Sequence, residues 1–324
     1  MQIKLVNQLR GNEVLAETVF TEEHLILIPK GTELKPEYIE LLSTLGVETV
    51  AIEDPYEKEE TPHFFISEEQ RTHYIEETRK ILESHIYSGT DSLQKLDAFA
   101  KDIITDLKKL NAEQVFDYKT RNANLYEHTV MVAVLAVTIA KILSLDENSL
   151  HEITIGALLH DIGLRYITVP YLNCADAERS AAELFEYKKH TILGFSALEA
   201  ESWLPDLSRK MVLSHHERMD GSGFPLKQKR QDIGCRILQV CDAFDCMITG
   251  MECKRVEIPD ALALLEKEKG KKYDAEIVTI LEHIVAHYPV GTEIVKEDGS
   301  TFVVIEQTLD AARPRLLEIK EPQK

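Results

Sequence analysis

The sequence predicts a mainly α protein: an all-α domain flanked by a small N-terminal α+β domain and a C-terminal β-hairpin. Three observations lead there. Residues 116–288 carry apolar residues at helical spacing almost throughout, in segments at about 123–144, 147–162, 178–187, 190–201, 206–217, 235–248, 258–269 and 274–287, with no strand signal between them. Residues 1–54 instead break into short β-branched runs bounded by Gly or charge. Tyr288-Pro289-Val290-Gly291-Thr292 ends the helices, and within residues 289–324 two apolar runs then flank Asp298-Gly299, a pair suited to a tight hairpin turn.

Taken in order, IKLVNQL, ETVF and LILIPKG read as strands of the domain 1–54. LKPEYIELLSTLG reads as a helix with Ile39, Leu42 and Leu45 on one face and Gly46 as its stop, and VETVAIED closes the unit. The stretch 55–115 changes character. PYEKEETP is a charged linker, Ser67-x-x-Gln70 has capping-box form and opens a polar helix through about Ser88, and Thr90-Asp91 restarts a second helix through about Leu110. Their narrow apolar stripes suit either a connector that joins two copies as a homodimer or a cap on the following domain.

Composition narrows the function classes. The chain has 324 residues, 44% hydrophobic and 29% charged, with a formal charge of −19. So acidic a chain lacks the basic footprint that duplex nucleic acid or an anionic membrane requires. The five cysteines form no C-x-x-C pair and read as reduced thiols, consistent with a cytoplasmic setting. The start has no apolar signal segment, and the longest apolar stretch, Val130 to Leu145, is interrupted by Lys141 and reads as a buried helix.

The chemistry sits in the histidines. His151, His283 and His287 read as satisfied structural residues. A second group differs: Leu158-Leu159-His160-Asp161-Ile162-Gly163 ends an apolar helix in a His-Asp pair, with Gly163 as the expected stop. Burying these side chains together is costly without a cation. Adjacent helical residues point about 100° apart, so one ion can take the imidazole while the carboxylate bridges to another. His215-His216 closes another helix and runs into Asp220-Gly221-Ser222-Gly223-Phe224-Pro225, a turn of small residues that lets backbone approach a ligand. Asp242 is an acid inside an apolar helix, and His128 and His190 stand at helix starts. Imidazole plus carboxylate donors without thiolate suit two divalent ions, Fe or Mn first, with Zn, Co or Ni able to take the same donors.

These blocks, in this order and spacing, resemble the HD-GYP family over roughly 115–290. The long His-His-Glu-Arg-x-Asp-Gly-Ser-Gly run is the most specific of them. The resemblance implies a helical bundle of HD type holding a metal centre that hydrolyses cyclic di-GMP to pGpG, with GMP from a second cleavage, by attack of a hydroxide shared between the metals. It assigns His128, His160, Asp161, His190, His215, His216 and Asp242 as metal ligands, with Asp161 bridging. Arg218 and Lys254 join Asp161 as catalytic residues, and Arg218, Asp220, Gly221, Gly223 and Lys254 form the substrate side, or else Arg218 and the loop 220–225 hold the domain together there.

The sequence departs from the family at four places. Members with a third metal carry Glu four residues before the first His; Asn124 stands there, which implies two metals. The lysine expected after His-Asp-x-Gly is Leu164, and Arg165 is out of register to replace it; losing one preorganised cation at a developing phosphate charge costs on the order of 10²-fold. Phe224 keeps the ring of the usual Tyr without its hydroxyl. Met251-Glu252-Cys253-Lys254 replaces an Arg-Pro-Tyr-Arg stretch and keeps only Lys254, with Arg255, as cation. Two alternatives follow from these changes: a weakly active receptor for cyclic di-GMP or a partner protein, and a phosphohydrolase acting on another nucleotide or cyclic dinucleotide.

Overall fold

The computed structural model describes residues 2–20, 26–53, 60–88, 92–111, 113–119 and 121–319. The expected restart at Thr90-Asp91 and most of the charged linker lie outside them. The chain forms two compact units, Met1–His63 with Val115–Asn122 and Tyr288–Lys324, and Phe64–Gln114 with Ala123–His287. The grouping differs from a division at 54, 115 and 288, because both ends of the chain and residues 115–122 fall in one unit and the two helices of the 55–115 stretch fall in the other.

In the first unit, β1 (Gln2–Leu5) pairs antiparallel with β4 (Thr49–Ile52), and β2 (Val19–Phe20) with β3 (Ile26–Ile28). Helix α1 (Pro36–Thr44) starts on a proline, whose fixed φ suits a first helical position. Leu42 from its apolar face joins Val6, Leu15, Ile28, Leu34, Val50 and Ile52 in the core, whereas Leu45 stays exposed. The C-terminal segment forms three strands rather than the expected two: β5 (Glu293–Val295), β6 (Thr301–Glu306) and β7 (Arg315–Glu318), ordered β5-β6-β7. Asp117 explains why 115–122 belongs here. Its buried carboxylate accepts from the backbone N–H of His63 and Val290 at 2.8 and 2.7 Å and from the Gln307 amide at 2.8 Å. Burial pushes its pKa up against these bonds.

The second unit is helical. Ser67 and Gln70 make the reciprocal capping bonds, at 3.0 and 3.1 Å, that open α2 (Glu68–Ser88). Helix α2 packs on α4 (Leu125–Ile142), and α3 (Lys95–Leu107) packs on both α4 and α5 (Glu147–Leu159). The apolar stripe of α3, including Leu96, Phe99, Ile103 and Leu107, is thereby buried within the chain, as in the capping reading of this pair.

Every residue of α4 from His128 to Ala140 is buried, so it is the unit's central helix; each fully buried Val, Leu or Ile there contributes about 1.5–3 kcal/mol. By length and composition α4 could cross a membrane, but 72% of that span is buried inside the protein. Helices α5, α9 (Ile233–Thr249) and α11 (Ala275–Ile284) pack on α4, and α8 (Asp206–Ser214) packs on α5 and α7 (His190–Ala197). Helices α6 (Ala181–Lys188) and α10 (Ile258–Glu268) complete the unit.

Candidate metal centre

Three histidines are presented by one local device. Near the ends of α5, α6 and α8, the Nδ1–H of His160, His190 and His215 donates to the carbonyl three residues earlier: Ala157 at 2.7 Å, Tyr187 at 2.7 Å and Val212 at 2.9 Å. A carbonyl can only accept, so each ring carries its proton on Nδ1 and turns an Nε2 lone pair inward. His128, on the first turn of α4, is held differently, with Nδ1 at 2.7 Å from the buried Asp245 carboxylate. Such outer partners fix ring orientation and raise ligand basicity.

The inward atoms form two adjoining clusters. In the first, His128 and His160 Nε2 are 3.1 Å apart, Asp161 Oδ2 lies 3.3 and 3.2 Å from them, and Asp242 Oδ1 lies 3.4 and 3.7 Å away. In the second, His190 and His215 Nε2 are 3.1 Å apart, with Asp161 Oδ1 at 4.0 and 3.4 Å. Asp161 therefore turns one oxygen to each cluster. His216 sits beside the second, stacked on Phe224 at 4.7 Å between centroids, with Nδ1 4.0 Å from Asp242 Oδ2. All seven predicted donors are at least nine-tenths buried and stand in this one place.

The donor chemistry fits metal ions on two counts. Both oxygens of Asp161 are buried and have no hydrogen-bond partner among the described residues, a state that costs several kcal/mol unless a cation compensates it. Each cluster also directs two imidazole nitrogens at one another at hydrogen-bond distance, an arrangement that a cation between them relieves. The electrostatics agree. Burial would raise the Asp161 pKa, but the neighbouring His160 and the contacts from His128 and His215 hold it well below the carboxylate range. For His128, burial opposes charge but the Asp161, Asp242 and Asp245 carboxylates prevail and raise its pKa well above normal. Burial lowers His190 to about 4 and, with His215, depresses His216 well below its usual value.

Close approach of backbones positions the clusters. Residues Ile162–Tyr166 form a short 3-10 helix after the His-Asp pair, so the chain does not stop at Gly163 as expected. Gly163 is required for contact instead: a Cβ there would lie 1.8 Å from the His190 carbonyl oxygen. Gly223 plays the same part under the His216–Arg218 backbone, where a Cβ would fall within 2.5 Å of three backbone atoms.

The residues expected on the substrate side have these partners. The Arg218 guanidinium donates to the carbonyls of His215 and Glu217 at 3.1 and 2.7 Å and covers the Tyr273 ring, so it braces the loop. Lys254 is half-exposed and paired with Glu178 at 3.2 Å. Asp220 accepts from the Ser222 backbone N–H at 2.8 Å, and Gly221 takes a positive φ of 82° in the same turn. Leu164 is buried among Ile167, Tyr187, Cys246 and Met251. Arg165 turns away to the Leu82 carbonyl and the Tyr126 ring. Asn124 caps α4, accepting from Tyr126 and Glu127 N–H at 3.1 Å each, and Glu127 pairs with Arg71.

Three acids escaped the sequence reading. Asp245 orients His128. Glu217 is fully buried and accepts from the Leu226 and Gln228 N–H groups at 2.6 and 2.9 Å, closing the glycine-rich loop. Glu252 was read only as part of a stretch that had lost its cations, yet its carboxylate lies among the histidines, 3.8 Å from His190 Nε2 and 3.1 Å from His216 Nε2. Burial, reinforced by the Asp161 charge, raises its pKa to about 7. The available signal was an acid just past the end of the helix that carries Asp242.

The chain is similar to a cyclic di-GMP phosphodiesterase of Thermotoga maritima, 34% identical over 163 residues, which are 49% of this chain and 44% of that protein. It is also similar to a 3'3'-cGAMP-specific phosphodiesterase of Vibrio cholerae, 25% identical over 214 residues, 63% of this chain and 40% of that one. It thus spans less than half the length of these relatives. Among solved structures it shares the fold of Bd1817, an HDG"Y"P protein of Bdellovibrio bacteriovorus, with a TM-score of 0.52 at 16% identity, covering 86% of this chain and 97% of the other. The HD domain family model matches residues 112–277, half of the chain and the part that holds both clusters, and the chain belongs to the HD domain family.

Proposed function

We propose that this chain is a phosphodiesterase that hydrolyses cyclic di-GMP to pGpG, and onward to GMP, at a centre of two divalent ions held by His128, His160, Asp161, His190, His215, His216 and Asp242. The observation that carries the reading is Asp161, a buried carboxylate whose oxygens face separate imidazole pairs without a hydrogen-bond partner among the described residues. Two ions held there, Fe or Mn before Zn, Co or Ni, would lower the pKa of a water and neutralise phosphate charge. The residues' own work is positional. Asp161 would hold one ion on each of its oxygens, the Nδ1–H bonds hold three rings in the tautomer that could bind a metal, and Asp245 orients the fourth. Glu217 and Arg218 hold the loop that carries Phe224 against His216.

A second reading, a receptor that binds the dinucleotide and turns it over slowly, draws on Leu164 and Met251. Both are buried apolar residues where a Lys and an Arg were expected, and Lys254 is engaged by Glu178. A third, a preference for another cyclic dinucleotide, draws on the relative specific for 3'3'-cGAMP. Protein loaded anaerobically with Fe(II) or Mn(II) should release pGpG or GMP from cyclic di-GMP, and Asp161→Asn should lose both turnover and metal. Tight binding without turnover would favour the receptor, turnover of 3'3'-cGAMP alone the third reading, and neither binding nor turnover would refute all three.

A further inference from the structure

We propose that Glu252 is a ligand of the second metal ion, joining Asp161, His190 and His215, with His216 beside them, as a donor to this cluster. The assignment rests on the metal-centre reading above and adds to it an eighth donor from a segment in which the sequence showed only missing cations. Glu252 is 5% exposed, and its Oε1 has no hydrogen-bond partner among the described residues. That oxygen is the one facing His190, and Asp161, His190 and Glu252 bring their donor atoms within 4.8 Å of one another. Oε2 faces His216 at 3.1 Å. A buried carboxylate beside two others, Asp161 and Asp242, is repelled from this place unless a cation holds it there.

The backbone is built to deliver it. Helix α9 ends at Gly250 with a φ of 78°, and Glu252 itself takes a φ of 62°, a left-handed conformation unfavourable for a residue with a side chain. The turn is pinned from the facing segment. Asn173 N–H donates to the Gly250 carbonyl at 2.6 Å, Asn173 Oδ1 accepts from Arg255 N–H at 3.2 Å, and Arg179 Nη2 donates to the Glu252 carbonyl at 3.2 Å. Arg179 is itself buried and lies over the Tyr187 ring at 4.3 Å. A strained, doubly anchored turn that directs a carboxylate with one oxygen unpartnered among the described residues at two histidines, its other oxygen also accepting from the Cys246 thiol at 3.8 Å, is the signature of a ligand rather than of a solvated side chain.

The test is metal content, measured apart from activity. Wild-type protein and Glu252→Gln are loaded anaerobically with Mn(II) or Fe(II), freed of excess ion and analysed for metal per chain, with a chelator titration for affinity. The expected result is two ions in the wild type and one firmly held ion in Glu252→Gln, the second released on the order of 10²-fold more readily. Thermal melts in chelator separate a ligand from a structural residue. As a ligand, Glu252 without metal is a buried carboxyl crowded against Asp161 and Asp242, so Glu252→Gln and Glu252→Ala should melt no lower than wild type. Two ions of unchanged affinity in Glu252→Gln, or a lower metal-free melt in both variants, would overturn the assignment alone. Wild-type protein that takes up no metal would overturn the metal-centre reading itself.

Discussion

Gly163→Ala tests whether the centre depends on the backbone contact between the segment after the His-Asp pair and α7. The added Cβ would stand 1.8 Å from the His190 carbonyl oxygen, 2.7 Å from its carbon and 2.8 Å from the Gly194 nitrogen. Real Cβ contacts begin at 3.0–3.4 Å, so the two backbones must part by roughly 1.2–1.6 Å. All the opposing atoms are main chain, and no rotamer change can relieve them. Overpacking of this kind costs about 1–3 kcal/mol, and the rigid partners place it at the upper end, or roughly 5–10 °C in a unit of this size. The effect on the site is larger, because Asp161 lies two residues before Gly163 and His190 is the residue displaced. Ligand distances tolerate only about 0.2 Å, so the second ion should be lost while the first, held by His128, His160 and Asp242, remains. Gly194→Ala supplies a graded comparison: its closest contact is the Val212 side chain at 3.1 Å, which can turn aside. Metal content per chain and thermal melts in chelator read both effects. Gly163→Ala with two bound ions and a melt within 1 °C of wild type would refute the reasoning.

Three further substitutions probe separate supports. Asp245→Asn keeps the hydrogen bond to His128 but removes its charge; the first ion should bind about 10–100-fold more weakly, with the second unaffected, by chelator competition. Asp117→Ala strands the donors of His63, Val290 and Gln307 and should cost about 2–4 kcal/mol by denaturant titration, leaving metal content at its wild-type value. Tyr74→Phe removes the 2.6 Å bond to Asp106, the chief reason that carboxyl's pKa is lowered. A lowered acid pKa contributes stability above the unfolded value, about 4, and loses it as pH falls through the folded value. The variant should therefore be about 1–2 kcal/mol less stable at pH 7 and approach wild type in strong acid; a gap that is constant with pH would count against the assignment.

The parts of the centre visible in the sequence are those fixed by local chain geometry. His160 and His215 need only a helix ending in a histidine, and His190 a histidine where one helix passes into the next, because the carbonyl that sets each ring lies three residues back. What escaped depends on contacts between distant segments. Gly163 reads as a helix stop in one dimension, yet its lack of a Cβ matters because α7 comes against it. Arg218 and Lys254 read as catalytic and substrate-side cations, and Tyr273 and Glu178 engage them. The placement of residues 115–122 with both chain ends turns on one aspartate whose partners lie 54, 173 and 190 positions away. Strand β7, four residues long, has too few positions for alternation to declare itself.

Glu252 joins these threads, because the substitutions around it change the charge of the centre in one direction. The chain carries a formal charge of −19, so attraction for a phosphodiester must come from the metals and from cations beside them. Leu164 and Met251 supply none, and Arg218 and Lys254 are occupied. With Glu252 as a ligand, three carboxylates rather than two face two divalent ions, and the centre's net charge falls from about +2 to about +1. A carboxylate that tightened the second ion would thus weaken the pull on the phosphate of the proposed substrate. Metal retention and phosphate affinity should move in opposite directions when it is removed: under saturating Mn(II), Glu252→Gln should bind the dinucleotide more tightly than wild type even as it holds its second ion less well.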